Sequence, residues 1–362
     1  MLKNLARGLA AVALAATAAH SPAQPTKPPL KVGFVYVSPI GDAGWTYEHD
    51  RARQAMQKAL GARVQTTVVE GVAEGADAER VMRDLAQQGH GLIVATSFGY
   101  LEPALRVAAD FPAVRFEHAG GYKTAANLGT YNARFYEARY LAGMLAGQAS
   151  RSGVAGYVAG FPVPEVIQGI NAFALGMRSV NPKAQVRVVW LNTWFDPPKE
   201  REAAQTLVDQ GADVLTNHSG SPVVPQAAQA NFRTKGVRLV AYQSDMRAYA
   251  PDAQLAAVVP DWSGHYLRAA QAVLDGRWVP HAVWGGLKDG MVRLAAVDPA
   301  LPAELRARVQ ARAADIAAGR FAVFAAPLVD NTGVTRLAHG ALDDGAIARM
   351  NWLVDGVLGR LP

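Results

Sequence analysis

Val32–Asp50 reads VGFVYVSPIGDAGWTYEHD, and the rest of the chain is organised around it. Val32 to Val37 is a short apolar run of β-branched and aromatic residues ending at Ser38-Pro39, the signature of a buried strand. Gly41, Asp42, Gly44 and Trp45 make a loop, after which Ala52, Ala55, Met56, Ala59 and Leu60 recur at helical spacing. The unit is strand, loop, helix. In an open parallel sheet the carboxyl end of a strand faces the ligand crevice, and here that end carries a carboxylate and an indole. Such a pair suits a flat ligand with hydrogen-bonding edges.

With 362 residues, half of them apolar and 18% charged, the chain has material for more than one core, and two domains are expected. Lys and Arg exceed Asp and Glu by 6, but they are dispersed, which argues against a nucleic-acid partner. Residues 1–23 have the layout of an export signal: Lys3 and Arg7, then apolar Gly8 to Ala19, then Ser21-Pro22-Ala23. Cleavage is expected near Ala19 or Ala23; the alternative is a frayed N-terminal helix. There is no cysteine, hence no disulfide, no thiolate metal site and no lipidated N-terminal cysteine. A soluble, unlipidated periplasmic monomer without a cofactor is expected.

Along the chain, strands are expected at 62–70, 90–96, 114–119 and 128–132, with helices between them, the pattern of parallel βαβ units. The second half repeats this at an offset of 122 residues: Val154 falls on Val32, Val186 on Val64, and Leu207-Val208-Asp209-Gln210-Gly211 on Leu85-Ala86-Gln87-Gln88-Gly89. Two similarly built α/β lobes are implied, unless two α/β segments have merely drifted into phase. Further strands are expected at 237–242, 256–259 and 291–296, and helices at 265–274, 302–318 and 345–357. The chain is expected to cross between lobes near Asn132, Trp262 and Trp284. That gives a first lobe of 30–131 and 262–283 and a second of 132–261 and 284–362.

Phosphate-binding G-x-x-x-x-G-K-[ST], G-x-G-x-x-G after the first strand, G-x-S-x-G and H-E-x-x-H are all missing, which lowers the weight of an enzymatic reading. Trp45, Phe98, Tyr100, Phe135, Trp194 and Trp262 lie at or just past expected strand ends. Together they point to an aromatic-lined crevice for a planar ring, although each could equally be a core residue. Asp42, Glu117, His118, Asn132, Asn217, His218 and Asp245 stand beside them. Carboxylates and amides there can read the edge of a purine. Asp42 could instead cap the helix, Glu117 could pair with an arginine, and either histidine could belong to the core.

Several motifs resemble the BMP (basic membrane protein) family of substrate-binding proteins for ABC importers. They are Gly41-Asp42-Ala43-Gly44-Trp45, Ser97-Phe98-Gly99-Tyr100, Tyr131-Asn132-Ala133-Arg134, Glu137 with Tyr140-Leu141-Ala142-Gly143, Gly169-Ile170-Asn171-Ala172-Phe173, Ser244-Asp245 and Gly286-Leu287-Lys288-Asp289-Gly290. The resemblance runs from about Leu30 to the C-terminus. It implies a type I periplasmic-binding fold, two Rossmann-like lobes with parallel sheets joined by a multi-strand hinge and closing on one ligand. It also implies an ABC permease partner and a purine ligand, with Trp45 stacking on the base and Asp42 and Asp245 near its edge. Trp45-Thr46-Tyr47 and Trp194-Phe195-Asp196-Pro197 are similar to a proteobacterial branch that holds a free base, which leaves the motif lysine, Lys288, without a ribose to hold. The ligand-site expectation is Asp42, Trp45, Phe98, Tyr100, Asn132, Phe135, Trp194, His218, Asp245 and Trp262, binding an adenine-like base. A nucleoside receptor, a nucleoside hydrolase and the ligand-binding part of a sensor are the alternatives.

Overall fold

The computed structural model describes residues 28–362, so the signal-like stretch 1–23 lies outside the described residues. The first half alternates β1 (Leu30–Val35), α1 (Trp45–Leu60), β2 (Val64–Val69), α2 (Ala76–Gln87), β3 (Leu92–Ala95), α3 (Leu101–Asp110), β4 (Arg115–Ala119) and β5 (Leu128–Ala133). After α4 (Phe135–Ala149) the pattern recurs as β6 (Val154–Ala159), α5 (Pro164–Arg178), β7 (Gln185–Trp190), α6 (Pro197–Asp209), β8 (Val214–His218), α7 (Val223–Lys235), β9 (Arg238–Tyr242) and β10 (Gln254–Pro260). The remainder is α8 (Ser263–Leu274), β11 (Ala282–Gly285), β12 (Val292–Ala295), α9 (Ala303–Ala317), β13 (Leu328–Val329), β14 (Thr335–Leu337), α10 (Asp344–Ala348) and β15 (Val357–Leu358).

Two large sheets result, in the orders β11-β5-β4-β3-β1-β2 and β12-β10-β9-β8-β6-β7-β15, beside a short antiparallel pair, β13-β14. The first is wholly parallel, and in the second only β12 runs antiparallel, against β10. Five strands recur in the same spatial order in both, so the 122-residue repeat is a repeat of structure. Continuous apolar strands are what two helix layers require: Phe34 packs with Met56 and Tyr266 on one face, and Val35 with Met82 and Ala104 on the other.

α4 and α5 meet backbone to backbone. A Cβ at Gly176 would lie 2.0 Å from the Tyr140 carbonyl oxygen, and one at Gly143 would lie 2.2 Å from that of Phe173, so a side chain at either would drive the helices apart. This explains the small residues spaced along both.

The chain leaves the first sheet after Ala133, returns after Pro260 through α8, which packs on α1, and leaves again after Gly285. β5 and β11 thus run past the expected crossings, because they pair with each other to the end, Asn132 with Trp284 and Ala133 with Gly285.

Three expectations are corrected. α1 begins at Trp45 and buries Glu48, His49 and Asp50 with Ala52, Met56 and Leu60, whereas Ala55 and Ala59 face solvent. The helix expected at 345–357 stops at Ala348. Beyond it the Asn171 side chain takes the place of helical partners, donating to the Trp352 carbonyl (2.8 Å) and accepting from the Val354 amide (2.9 Å), so that Val357 can pair with Val186 as a strand. The β2 expectation starts too early, since Gly61–Arg63 forms a 3-10 turn.

Candidate ligand-binding site

The carboxyl ends of both sheets face each other across a cavity. From the first lobe it is lined by Ser38, Trp45, Ser97, Phe98 and Gly120, and from the second by Glu165, Trp194, Phe195, His218 and Gln243, among others. Each ends or follows a parallel strand, which is where open α/β sheets place ligands.

Trp45 opens α1. Its indole N–H donates to the Thr96 carbonyl at 2.6 Å and its ring packs edge-on against His49 and Trp262, at 4.3 and 5.8 Å between centroids. The ring is therefore fixed before any ligand arrives. Trp194, in the loop between β7 and α6, packs edge-on to Phe161 at 4.8 Å, and its indole donates to Glu74 Oε1 at 3.1 Å. Glu74 belongs to the opposite lobe, where the same oxygen accepts from Ser97 Oγ (2.6 Å) and the Gly99 amide (2.9 Å).

Glu165 is the charged group of the cavity. It stands on the first turn of α5, just after Pro164, where the helix end favours an anion. Oε2 accepts from Asn132 Nδ2 at 2.7 Å, across the lobes, and Oε1 lies 3.5 Å from His218 Nε2. Burial pushes its carboxyl up to about 7, against the opposing pull of the Asn132 hydrogen bond and the Arg139 charge. Arg139 is fully buried, donating to Thr216 Oγ1 (2.8 Å) and the Asn217 carbonyl (2.7 Å) beneath the Tyr242 ring. Burial, aided by that guanidinium, holds the His218 imidazole well below its ordinary value, so it is neutral at pH 7. Its Nδ1 and the Gln243 Oε1 have no hydrogen-bond partner.

The lobes stand closed. Ser244 Oγ, from the second lobe, accepts from the Gly44 amide at 2.8 Å and donates to Glu48 Oε1 at 2.7 Å, both in the first. The Tyr249 hydroxyl donates to the Asp42 carboxylate. Gly44 has φ +100°, and a Cβ there would lie 2.9 Å from the Gly220 carbonyl oxygen of the opposite lobe. Glycine is what lets the loops meet.

Of the residues singled out from sequence, Trp45, Phe98, Trp194 and His218 line the cavity, and Asn132 holds Glu165 from behind. The others lie off it. Tyr100 is inside the first lobe, donating to the Val72 carbonyl at 2.5 Å. Phe135 and Trp262 are buried behind Trp45, with Trp262 stacked on His49 at 5.1 Å. Asp42 is engaged by Tyr249, and Asp245 is paired with Arg247 and held by Gln254 Nε2 at 2.8 Å. Asn217 turns its amide onto Ser219, and Glu117 and His118 are interior to the first sheet. Lys288 is exposed; the turn around it is anchored where Glu137 accepts the Leu287 amide at 2.7 Å.

Sequence reasoning missed Glu165, Gln243 and Glu74, and it held Ser97 and Phe195 only as members of motifs, without a place at the ligand. A signal for Glu165 existed: β6 repeats β1, so the start of α5 repeats the start of α1, where Trp45 was found.

The matched model of the Bmp family, described as ABC transporter substrate-binding protein, PnrA-like, covers residues 30–316. A purine-binding protein of Brucella abortus is 47% identical over 334 residues, 92% of this chain and 94% of that one. A Haloferax volcanii protein named for glucose binding in an ABC transporter is 38% identical over 333 residues, 92% of this chain and 81% of that one. An ABC transporter solute-binding protein of Aeropyrum pernix superimposes with a TM-score of 0.70 at 17% identity, covering 88% of this chain and 95% of that one. The type I periplasmic-binding fold expected from the motifs is thus the fold of the molecule, and the chain belongs to the Bmp family of PnrA-like ABC transporter substrate-binding proteins.

Proposed function

We propose that this substrate-binding protein captures a purine base, adenine-like in its edge, between lobes that close on it, and delivers it to an ABC permease. The observation that carries the reading is the composition of the crevice: aromatic rings from both lobes, Trp45 and Phe98 on one side and Trp194 and Phe195 on the other, around one carboxylate, Glu165. Rings on both sides favour a flat ligand, and a carboxylate accepts the N–H groups of its edge. The purine-binding name of the Brucella relative supports the same ligand class.

In this reading Trp45, Phe98, Trp194 and His218 contact the base and Glu165 fixes its orientation, with Asn132 positioning Glu165. Tyr100, Phe135 and Trp262 support the walls, and Asp42 and Asp245 act at the lobe contact and the loop beneath it. Ligand contacts with both lobes shift the population toward the closed form that the permease recognises. The protein binds without turnover, acts as a monomer, and works in the periplasm after removal of residues 1–23. No helix among the described residues is long and apolar enough to cross a membrane.

The test is thermal melting of the mature protein, stripped of ligand by unfolding and refolding, against adenine, guanine, hypoxanthine, adenosine and glucose. A ligand at 100 times its dissociation constant adds about 2.7 kcal/mol of stability. A rise in melting temperature with a free base and none with glucose supports the reading. A response to glucose alone refutes it, and a response to adenosine alone moves the ligand to a nucleoside. Liberation of base from adenosine on long incubation would overturn the absence of turnover.

A further inference from the structure

Behind the first sheet, away from the crevice, Glu117 on β4 meets His265 on α8 and His281 in the segment leading into β11. Glu117 and His265 are buried, and the His281 side chain is 28% exposed. Glu117 Oε2 lies 3.0 Å from each Nε2, and the three atoms are all within 4.8 Å of one another. The other carboxylate oxygen accepts from Trp278 Nε1 at 2.7 Å, which fixes the plane of the carboxylate.

Hydrogen bonding constrains the protons at His281. Its Nδ1 lies 2.9 Å from the Val279 carbonyl, which can only accept, so Nδ1 carries a hydrogen. A neutral ring then points its Nε2 lone pair at a carboxylate oxygen, two acceptors facing each other. The clash is removed by an imidazolium, which the Glu117 carboxylate favours, by a proton on the carboxyl group, or by a cation between the lone pairs. Nδ1 bonded to a backbone carbonyl is also the arrangement that orients metal-ligating histidines, and the Trp278 bond to Glu117 is its counterpart on the carboxylate.

Two imidazole nitrogens and one carboxylate oxygen form a three-ligand set of the kind zinc accepts with a fourth position open. Ligand atoms in such a tetrahedron stand about 3.3 Å apart, from bonds of about 2.0 Å, so the two 3.0 Å separations open slightly and the His265–His281 separation, within 4.8 Å, closes toward the same value. A solvent-connected cavity lined by His265, Arg268, Trp278 and His281 reaches the cluster and gives both entry and room for a fourth ligand. Arg268 and Arg277 also border it, which favours an anion such as hydroxide or chloride in that position. Gly129 keeps the space open, since a Cβ there would lie 3.0 Å from His281 Nε2.

We infer that Glu117, His265 and His281 form a binding site for a divalent transition metal of the zinc class. It ties the returning segment of the chain, α8 and the approach to β11, to the sheet laid down by the first half. It shares no lining residue with the crevice, so its role is to stiffen the first lobe and not to bind the transported ligand.

The experiment is titration of the EDTA-treated mature protein with Zn2+ by calorimetry, with Co2+ as a spectroscopic probe, repeated on His281→Ala and Glu117→Gln. The inference predicts one metal per chain, visible cobalt bands of a four-coordinate site, a higher melting temperature with Zn2+, and at least tenfold weaker binding in both variants. His281 is partly exposed, so its variant carries the test if Glu117→Gln fails to fold. Absence of heat, of cobalt bands and of a melting shift in the wild-type protein would overturn the site in favour of an imidazolium–carboxylate pair. Binding undiminished in His281→Ala would overturn it too, by placing the metal elsewhere.

Discussion

Replacing Glu165 by Gln tests the crevice at its one charged group. The variant is isosteric and keeps an oxygen that can accept from Asn132 Nδ2, now 2.7 Å away, so the fold should survive. What is lost is the anion. A hydrogen bond from a ligand N–H to a carboxylate is worth about 1.5–3 kcal/mol, a roughly 10- to 150-fold rise in Kd. The pH dependence carries its own sign. Burial raises the Glu165 carboxyl to about 7 in the closed lobes, so a crevice that closes without ligand holds it largely protonated at pH 6 and largely ionised at pH 8. A ligand that needs the carboxylate displaces that proton, so affinity should rise with pH and level off once the group is ionised. Where the lobes are already closed before the ligand enters, the ionised fraction grows about tenfold from pH 6 to pH 8 and Kd should fall by about that factor. Titration of adenine by tryptophan quenching in wild type and Glu165→Gln across this range gives both readouts. A variant that binds within twofold of wild type, with the same pH profile, would refute the role of Glu165.

Three further outcomes follow from the same geometry. Trp194→Ala removes one wall and should cost on the order of 1–3 kcal/mol in binding, taking base stacking in nucleic-acid sites as the guide; calorimetry checks it, and an unchanged Kd would move the ligand off that ring. Gly44→Ala puts a methyl 2.9 Å from the Gly220 carbonyl oxygen at φ +100°, so closure should fail, with at least tenfold weaker binding and a ligand-insensitive open shape in solution scattering. Tyr100→Phe, which loses one buried bond to Val72, should lower stability by about 0.5–1.5 kcal/mol and leave the affinity unchanged; a change in Kd without loss of stability would place Tyr100 at the ligand.

The architecture was legible because it rests on local chemistry. Apolar runs such as Val32–Val37, separated by amphipathic helices and repeated in the second half, admit little besides two parallel α/β lobes. The crevice walls Trp45, Phe98 and Trp194 were legible because strand ends were known to face it. Direction was not. Phe135 and Trp262 also follow strands, yet their rings turn back into the aromatic cluster with His49 and Tyr242, a choice made by neighbours distant in sequence. Asp42 and Asp245 looked free because the partners that occupy them, Tyr249, Arg247 and Gln254, are set by loop geometry. Glu165 was overlooked for the opposite reason. Proline followed by glutamate reads as an ordinary helix start, and only the closing lobe gives that carboxylate its burial.

We propose that both lobes hold one purine base in the crevice. The most direct test is calorimetric titration of the stripped mature protein with adenine, carried out in parallel on Trp45→Ala and Glu165→Gln. One site per chain is expected in the wild type, with affinity lowered at least fivefold by either substitution. Tight adenine binding indifferent to both residues, or no adenine binding beside saturable glucose binding, would contradict it.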